Sequence, residues 1–134
     1  MTSPLDRLQD PTLLKTDAFI NGEWVAGSSR FDVHDPATGL KLADVASLGA
    51  TDAETAVAAA DAAWPGWKTR TAKERSLILR RWYELLMAHQ EDLATLMTAE
   101  QGKPLAETRG EVAYGASFVE WGCRSRLPQS GQAL

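Results

Sequence analysis

One thiol, two imidazoles and a run of cations are the groups in this chain with chemistry to offer. Cys123 is the only cysteine among 134 residues, and it sits in the stretch WGCRSRLPQSGQAL, residues 121–134. A nucleophilic cysteine needs its pKa lowered by a helix N-terminus, a histidine or another nearby cation. Arg124 and Arg126 are close in sequence, which is weakly encouraging. However, Cys123 falls at the end of a helical pattern, where the helix dipole disfavours a thiolate. Neither His34 nor His89 has a spacing that ties it to the thiol. An incidental cysteine is the better reading.

Metal and phosphate chemistry find less. The chain holds no paired-histidine motif, no CxxC and no EF-hand run, and His34 beside Asp35 reads as a turn residue. Its glycines are dispersed at turns, and neither GxGxxG nor GxxxxGK followed by Ser or Thr occurs. The strongest charge feature is Lys68, Arg70, Lys73, Arg75, Arg80 and Arg81, with Glu74 the only acid between residues 68 and 81. A nucleic-acid module is the sharp reading of that run. A solvated helix face, or one that pairs with another part of a larger protein, is the favoured one, because Arg75 and Arg80 alternate with core positions and the chain overall is acidic. Trp64, Trp67, Trp82 and Trp121 likewise stand at helical core spacing, which favours packing over base stacking.

Bulk composition sets the frame. With 44% hydrophobic and 24% charged residues, the chain is globular in character, and its length fits one domain. A net charge of −4 gives no long-range reason to seek nucleic acid or an anionic membrane. No cationic segment leads into an apolar one at the N-terminus, and no run is long and apolar enough to span a bilayer. The expected location is cytoplasmic.

The elements that must position these groups fall in a simple order. Residues 1–17 read as an extended arm with one short helical turn around Leu5–Leu8. AFINGEWVAG, residues 18–27, places Asn21-Gly22 between apolar residues, the signal for a tight hairpin. FDVHDPATG, residues 31–39, and KLADVASLG, residues 41–49, are two further β stretches. Thr51 and Glu54 have capping-box spacing and open a helix with Ala53, Val57, Ala60 and Trp64 on one face, ended by Pro65-Gly66. Thr71 and Glu74 open a second, whose core-facing stripe is Ile78, Trp82, Leu85 and Leu86. A break at His89–Gln90 leads to an apolar face of Leu93, Leu96 and Met97, with Gly102 as the C-terminal stop. The last helix runs from Pro104 to about Trp121. From physics alone this is an α+β piece with no active site, in which large amphipathic helices have only a narrow sheet to lie on.

Several of these stretches, in this order, resemble the beginning of an aldehyde dehydrogenase. AFINGEWVAG is similar to that superfamily's opening hairpin, and VHDPATG to its next strand and turn. The segment from Ala50 to Thr108 is similar to its first helices, including the junction Glu100-Gln101-Gly102-Lys103-Pro104. GEVAYGASFVEW continues into the following long helix, so the similarity covers residues 18–121. TAKERSLILRRW and EQGKPLAE look most like the NAD(P)-dependent succinate-semialdehyde dehydrogenases, with glutarate-semialdehyde relatives close behind. The resemblance implies an α/β fold of which this is the N-terminal portion only: a short β-hairpin and strands, then three to four amphipathic helices.

It also implies a reaction. In such enzymes a cysteine thiolate adds to the aldehyde and a hydride passes to nicotinamide. A glutamate-activated water then releases the acid. Those parts lie beyond the matched portion, and Cys123 does not match the family nucleophile in context or order. No catalytic, cofactor-binding or metal residue is therefore expected here. NADP or NAD belongs to the complete enzyme, and this chain alone is expected to bind neither and to be inactive. Complete members assemble as dimers or tetramers and take part in 4-aminobutyrate degradation. The long helix after the junction lines the aldehyde's entry route in the family, which makes Tyr114, Phe118 and Trp121, at i, i+4 and i+7, a candidate tunnel wall. Ordinary core packing stands open beside that reading. Glu100 falls near a cation-binding position of some relatives. Related chains pass the tryptophan with alanines and acids toward a YG-x-TIP-like turn, whereas this one has Gly122, two arginines and Pro128. Residues 122–134 are accordingly expected to be a divergent tail, as after a frameshift or early stop. The rival from another class is a non-catalytic module that docks onto a partner such as an intact dehydrogenase subunit.

Overall fold

A computed structural model describes residues 3–124, with the side chain of residue 124 excepted. The divergent tail expected at residues 122–134 lies outside the described residues from position 125 onward. The arm forms two short 3-10 turns, Pro4–Arg7 and Pro11–Leu13, each with proline at its start and a side-chain cap, Ser3 and Asp10 respectively. Asp92 holds the arm down: its buried carboxylate accepts the backbone N–H groups of Gln9 and Asp10, both at 2.9 Å.

Four strands follow, one more than the three β segments of the sequence reading, because the hairpin supplies two. β1 (Ala18–Ile20) pairs antiparallel with β2 (Glu23–Val25), and β3 (Ser29–His34) with β4 (Lys41–Ser47), as two separate ribbons. Asn21 and Gly22 both take positive φ, 52° and 85°, as a two-residue hairpin turn requires. Phe19 and Trp24 are cross-strand partners with ring centroids 5.0 Å apart. Between β3 and β4 the buried Asp35 organises the turn, accepting from Ala37 N and Thr38 Oγ1 at 2.8 Å each. The arm runs beside β4, where Ala46 N donates to Thr16 O at 2.8 Å.

Four helices complete the chain: α1 (Ala50–Lys68), α2 (Ala72–Ala88), α3 (Gln90–Gln101) and α4 (Leu105–Arg124). The second capping box is present as read, with Glu74 N donating to Thr71 Oγ1 and Thr71 N to Glu74 Oε2. The first is displaced. Gly49 is the N-cap of α1 and its N–H meets Asp52 rather than Thr51 meeting Glu54, since β4 ends two residues earlier than KLADVASLG suggested. Pro65-Gly66 does not end α1 either. A proline withdraws a single N–H late in a long helix, and the last turn closes onto Thr69, whose N–H donates to Pro65 O. His89 alone separates α2 from α3, its φ of −106° and ψ of 18° breaking the helix where the sequence placed a break. Gly102 caps α3 in the left-handed region at φ 74°, and a Cβ there would approach Pro36 Cγ to 2.9 Å. The glycine thus serves both the helix stop and the contact with the β3–β4 turn.

Two helix faces differ from expectation. On α1, Ala53, Val57, Ala60 and Trp64 are all exposed, and mid-helix it is Ala56 and Ala59 that are half-buried. These border a cleft against Phe19, Ile20, Asn21 and Gly22. Of the stripe read on α2, Ile78, Trp82 and Leu85 are exposed and Leu86 alone is half-buried; the face turned to α4 carries Arg75, Ser76 and Leu79. Helical spacing identified apolar stripes correctly but could not say which partner, if any, they meet within this chain. The packing reading of the tryptophans meets the same correction: Trp64, Trp82 and Trp121 are exposed, and Trp67 is half-buried.

Acid should weaken this fold through groups that can be named. The Asp35 carboxyl is held below its ordinary value of 3.8, first by the Ala37 N–H and then by the Thr38 hydroxyl. Glu91 is held below its ordinary 4.5 by Arg109, which forms two bonds to it at 2.7 Å. A depressed folded-state pKa contributes stability that is present above the unfolded value and is lost as pH falls through the folded one. Thermal unfolding followed from about pH 6 to about pH 2 should show Tm dropping below the ordinary carboxylate range. Asp35→Asn and Glu91→Gln should each flatten that drop, and curves parallel to the wild type would contradict the assignment.

Candidate functional site

Tyr114, Phe118 and Trp121 all lie on α4, and the structure puts them together on one outward face. Tyr114 and Phe118 meet edge to face with centroids 4.9 Å apart. Their exposures of 67% and 59%, and 68% for Trp121, show that this face does not pack within the chain's own core. Phe118 and Trp121 line an open cavity of about 530 Å³ with Ser117 and Glu120. Glu120 was not singled out by the sequence reading. It borders the apolar wall while pairing with Arg80 at 3.5 Å, so one side of the cavity carries an ion pair.

Opposite this face α4 is fastened to its neighbours. Thr98 Oγ1 and Thr108 Oγ1 are 2.9 Å apart across α3 and α4, and Gln90 Nε2 donates to Arg109 O at 2.9 Å. Lys103 pairs with Glu111. Lys103 is held above the ordinary lysine value chiefly by the Glu111 hydrogen bond. On the α2 side Ser76 Oγ donates to Cys123 O at 3.0 Å.

Cys123 is buried, and its thiol donates to Val119 O at 3.3 Å, one turn back along α4. A buried thiol held that way is packed against its own helix rather than presented to a substrate. His34 is exposed at the end of β3 and His89 is the α2–α3 joint. Glu100 is exposed and borders a cavity of about 400 Å³ between the arm and the β3–β4 ribbon. Among the described residues no group of three or more His, Cys, Asp or Glu side chains is placed to hold a metal ion.

The cations at 68–81 do not form one surface. Arg75 turns toward α4, Arg80 reaches Glu84 and Glu120, and Lys68, Arg70, Lys73 and Arg81 are exposed. Nor do the described residues fit a dinucleotide. A Rossmann site needs a parallel βαβ unit with a glycine-rich turn at a free helix N-terminus. Here both ribbons are antiparallel, and the start of α1 is already faced by the Asp52 carboxylate. No helix of the described residues is long and apolar enough to cross a membrane.

Comparison with known proteins fits this architecture. The model of the aldehyde dehydrogenase family matches residues 24–133. The chain belongs to the aldehyde dehydrogenase family. It is 56% identical over 116 residues to the 3-sulfolactaldehyde dehydrogenase of Pseudomonas putida, covering 85% of this chain and 24% of that enzyme. To the NADP+-dependent succinate-semialdehyde dehydrogenase of Escherichia coli it is 51% identical over 117 residues, covering 86% and 24%. The crystal structure of succinate-semialdehyde dehydrogenase from Burkholderia pseudomallei superposes with a TM-score of 0.85 at 52% identity, covering 88% of this chain and 25% of that one. The chain therefore spans about a quarter of the length of the relatives it matches. Its α/β order of short strands followed by four helices is that of an aldehyde dehydrogenase N-terminal portion.

Proposed function

We propose that this chain is the opening scaffold of an NAD(P)-dependent semialdehyde dehydrogenase, and that alone it carries out no turnover. In that reading α4 offers Tyr114, Phe118 and Trp121 as a wall of the aldehyde's entry route, and the reacting groups and the cofactor site belong to the rest of the family fold. The observation that carries it is the mismatch between buried and exposed residues. The buried apolar positions are Leu8, Ala94, Ala99, Val112, Ala116 and Cys123, whereas Trp82, Tyr114, Phe118 and Trp121 are more than half exposed. Covering such side chains contributes roughly 1.5–3 kcal/mol each, so helices of this kind are built to meet further structure. A span of about a quarter of each relative agrees with that.

The favoured substrate is succinate semialdehyde, with glutarate semialdehyde next. The sulfolactaldehyde relative widens the class to short aldehydes whose far end is anionic. Such a substrate passes along an apolar wall more readily when its anion has a cation to meet further in.

Two assays test the reading. The purified 134-residue chain, given succinate semialdehyde and either NADP+ or NAD+, should show no nucleotide reduction above the uncatalysed rate; measurable turnover overturns the scaffold proposal. In a full-length relative such as the Escherichia coli enzyme, alanine at the position equivalent to Tyr114 should raise KM for succinate semialdehyde several-fold while Tm changes little. Unchanged KM and aldehyde selectivity would remove the entry-wall role.

A further inference from the structure

Of the basic run, Arg75 is the one cation that the fold turns inward. It lies on the α2 face that meets α4, one turn before Leu79, in the lining of a cavity of about 370 Å³. The other lining residues are Trp67, Ala72, Ser76, Leu79, Trp121 and Gly122. Arg75 Nε is buried and donates to no acceptor among the described residues. A charged donor removed from water without a partner is costly, and guanidinium–carboxylate pairing is the usual way that cost is met.

The described neighbourhood supplies no such partner. Glu74, the only acid from 68 to 81, is committed to capping Thr71. The Ser76 hydroxyl proton is committed to Cys123 O. Among the described residues no acid lines the cavity.

We propose that the cavity between the start of α2 and the end of α4 is a carboxylate-binding site, with Arg75 as its cation and Trp67 and Trp121 as its apolar walls. Its chemistry selects the ligand class. One guanidinium between apolar walls suits a monovalent, planar carboxylate with an apolar body, since a phosphate dianion would need further donors or a second cation. Two sources can present that group: a free small carboxylate, or an Asp or Glu side chain of polypeptide lying over the cavity. The proposal stands independently of the dehydrogenase reading.

The test uses the 134-residue chain with isotope labels on arginine and tryptophan. Sodium pentanoate is titrated while the Arg75 Nε–H and the Trp67 and Trp121 indole N–H resonances are followed. Pentanamide and sodium chloride at matched ionic strength are the controls. A second arm tethers the group. Gly122 lines the cavity, and among the described residues a Cβ there meets only Leu79 Cδ1, at 3.6 Å, so Gly122→Glu and Gly122→Gln are compared by Tm in the Arg75 and Arg75→Gln backgrounds.

A saturable pentanoate response that neither control reproduces, and that weakens at least tenfold on the indole signals in Arg75→Gln, assigns a free carboxylate. A Tm advantage of Glu over Gln at 122 that disappears in Arg75→Gln, without a pentanoate response, assigns a polypeptide carboxylate. If Arg75→Gln does not fold, the Arg75 Nε–H response to pentanoate against pentanamide decides. Equal responses to pentanoate, pentanamide and chloride, together with no advantage of Glu at 122, overturn the proposal.

Discussion

Thr108 has no accessible surface, and with Ala94, Ala99, Val112 and Ala116 it forms the small-residue seam along which α4 lies against its neighbours. Small side chains let helix backbones approach closely, and the few polar groups caught in the seam are paired, as Thr98 with Thr108. Everything else is referred to that seam. The arm is tied to α3 by Asp92, α3 to the β3–β4 turn through Gly102 against Pro36, and α2 to the end of α4 through Ser76 and Arg80.

A seam of alanines and threonine leaves the large apolar residues without a place inside. In an independent domain the core is filled by leucines, isoleucines and aromatics, and a chain that exposes them in patches meets another surface. Here three helices each present such a patch: Val57 and Trp64 on α1, Ile78 and Trp82 on α2, and Tyr114, Phe118 and Trp121 on α4. The proposed reading, in which these helices meet further structure of the family fold, gives this pattern its physical sense. The same fact separates identity from activity. In the proposed reading the residues that mark the family here are scaffold residues.

What could be read from sequence was mostly local. The Asn21-Gly22 hairpin, the Thr71–Glu74 cap, the break at His89 and the stop at Gly102 each depend on one or two residues whose backbone chemistry leaves little choice. Register and burial were harder, because they depend on partners. Thr51 and Glu54 carry a capping signature, yet the end of β4 places Gly49 and Asp52 at the helix start. Ile78, Trp82 and Leu85 form a sound amphipathic stripe, yet α4 takes the neighbouring face, led by Arg75 and Leu79. The i, i+4, i+7 spacing of Tyr114, Phe118 and Trp121 did place them on one face, but spacing could not tell an outward wall from a packed one. Arg75 escaped notice as a distinct residue because a run of six cations hides the one that turns inward; its offset of four from Leu79 was the available signal.

These aromatic faces are open to solvent in this chain. Hydroxyl-radical footprinting of the 134-residue protein, read residue by residue by mass spectrometry, measures that directly. Trp82, Tyr114, Phe118 and Trp121 should label fast, with Trp67 and Cys123 slower than their intrinsic reactivities. Protection of Trp82, Tyr114, Phe118 and Trp121 to the level of Cys123 in a monomeric sample would contradict it.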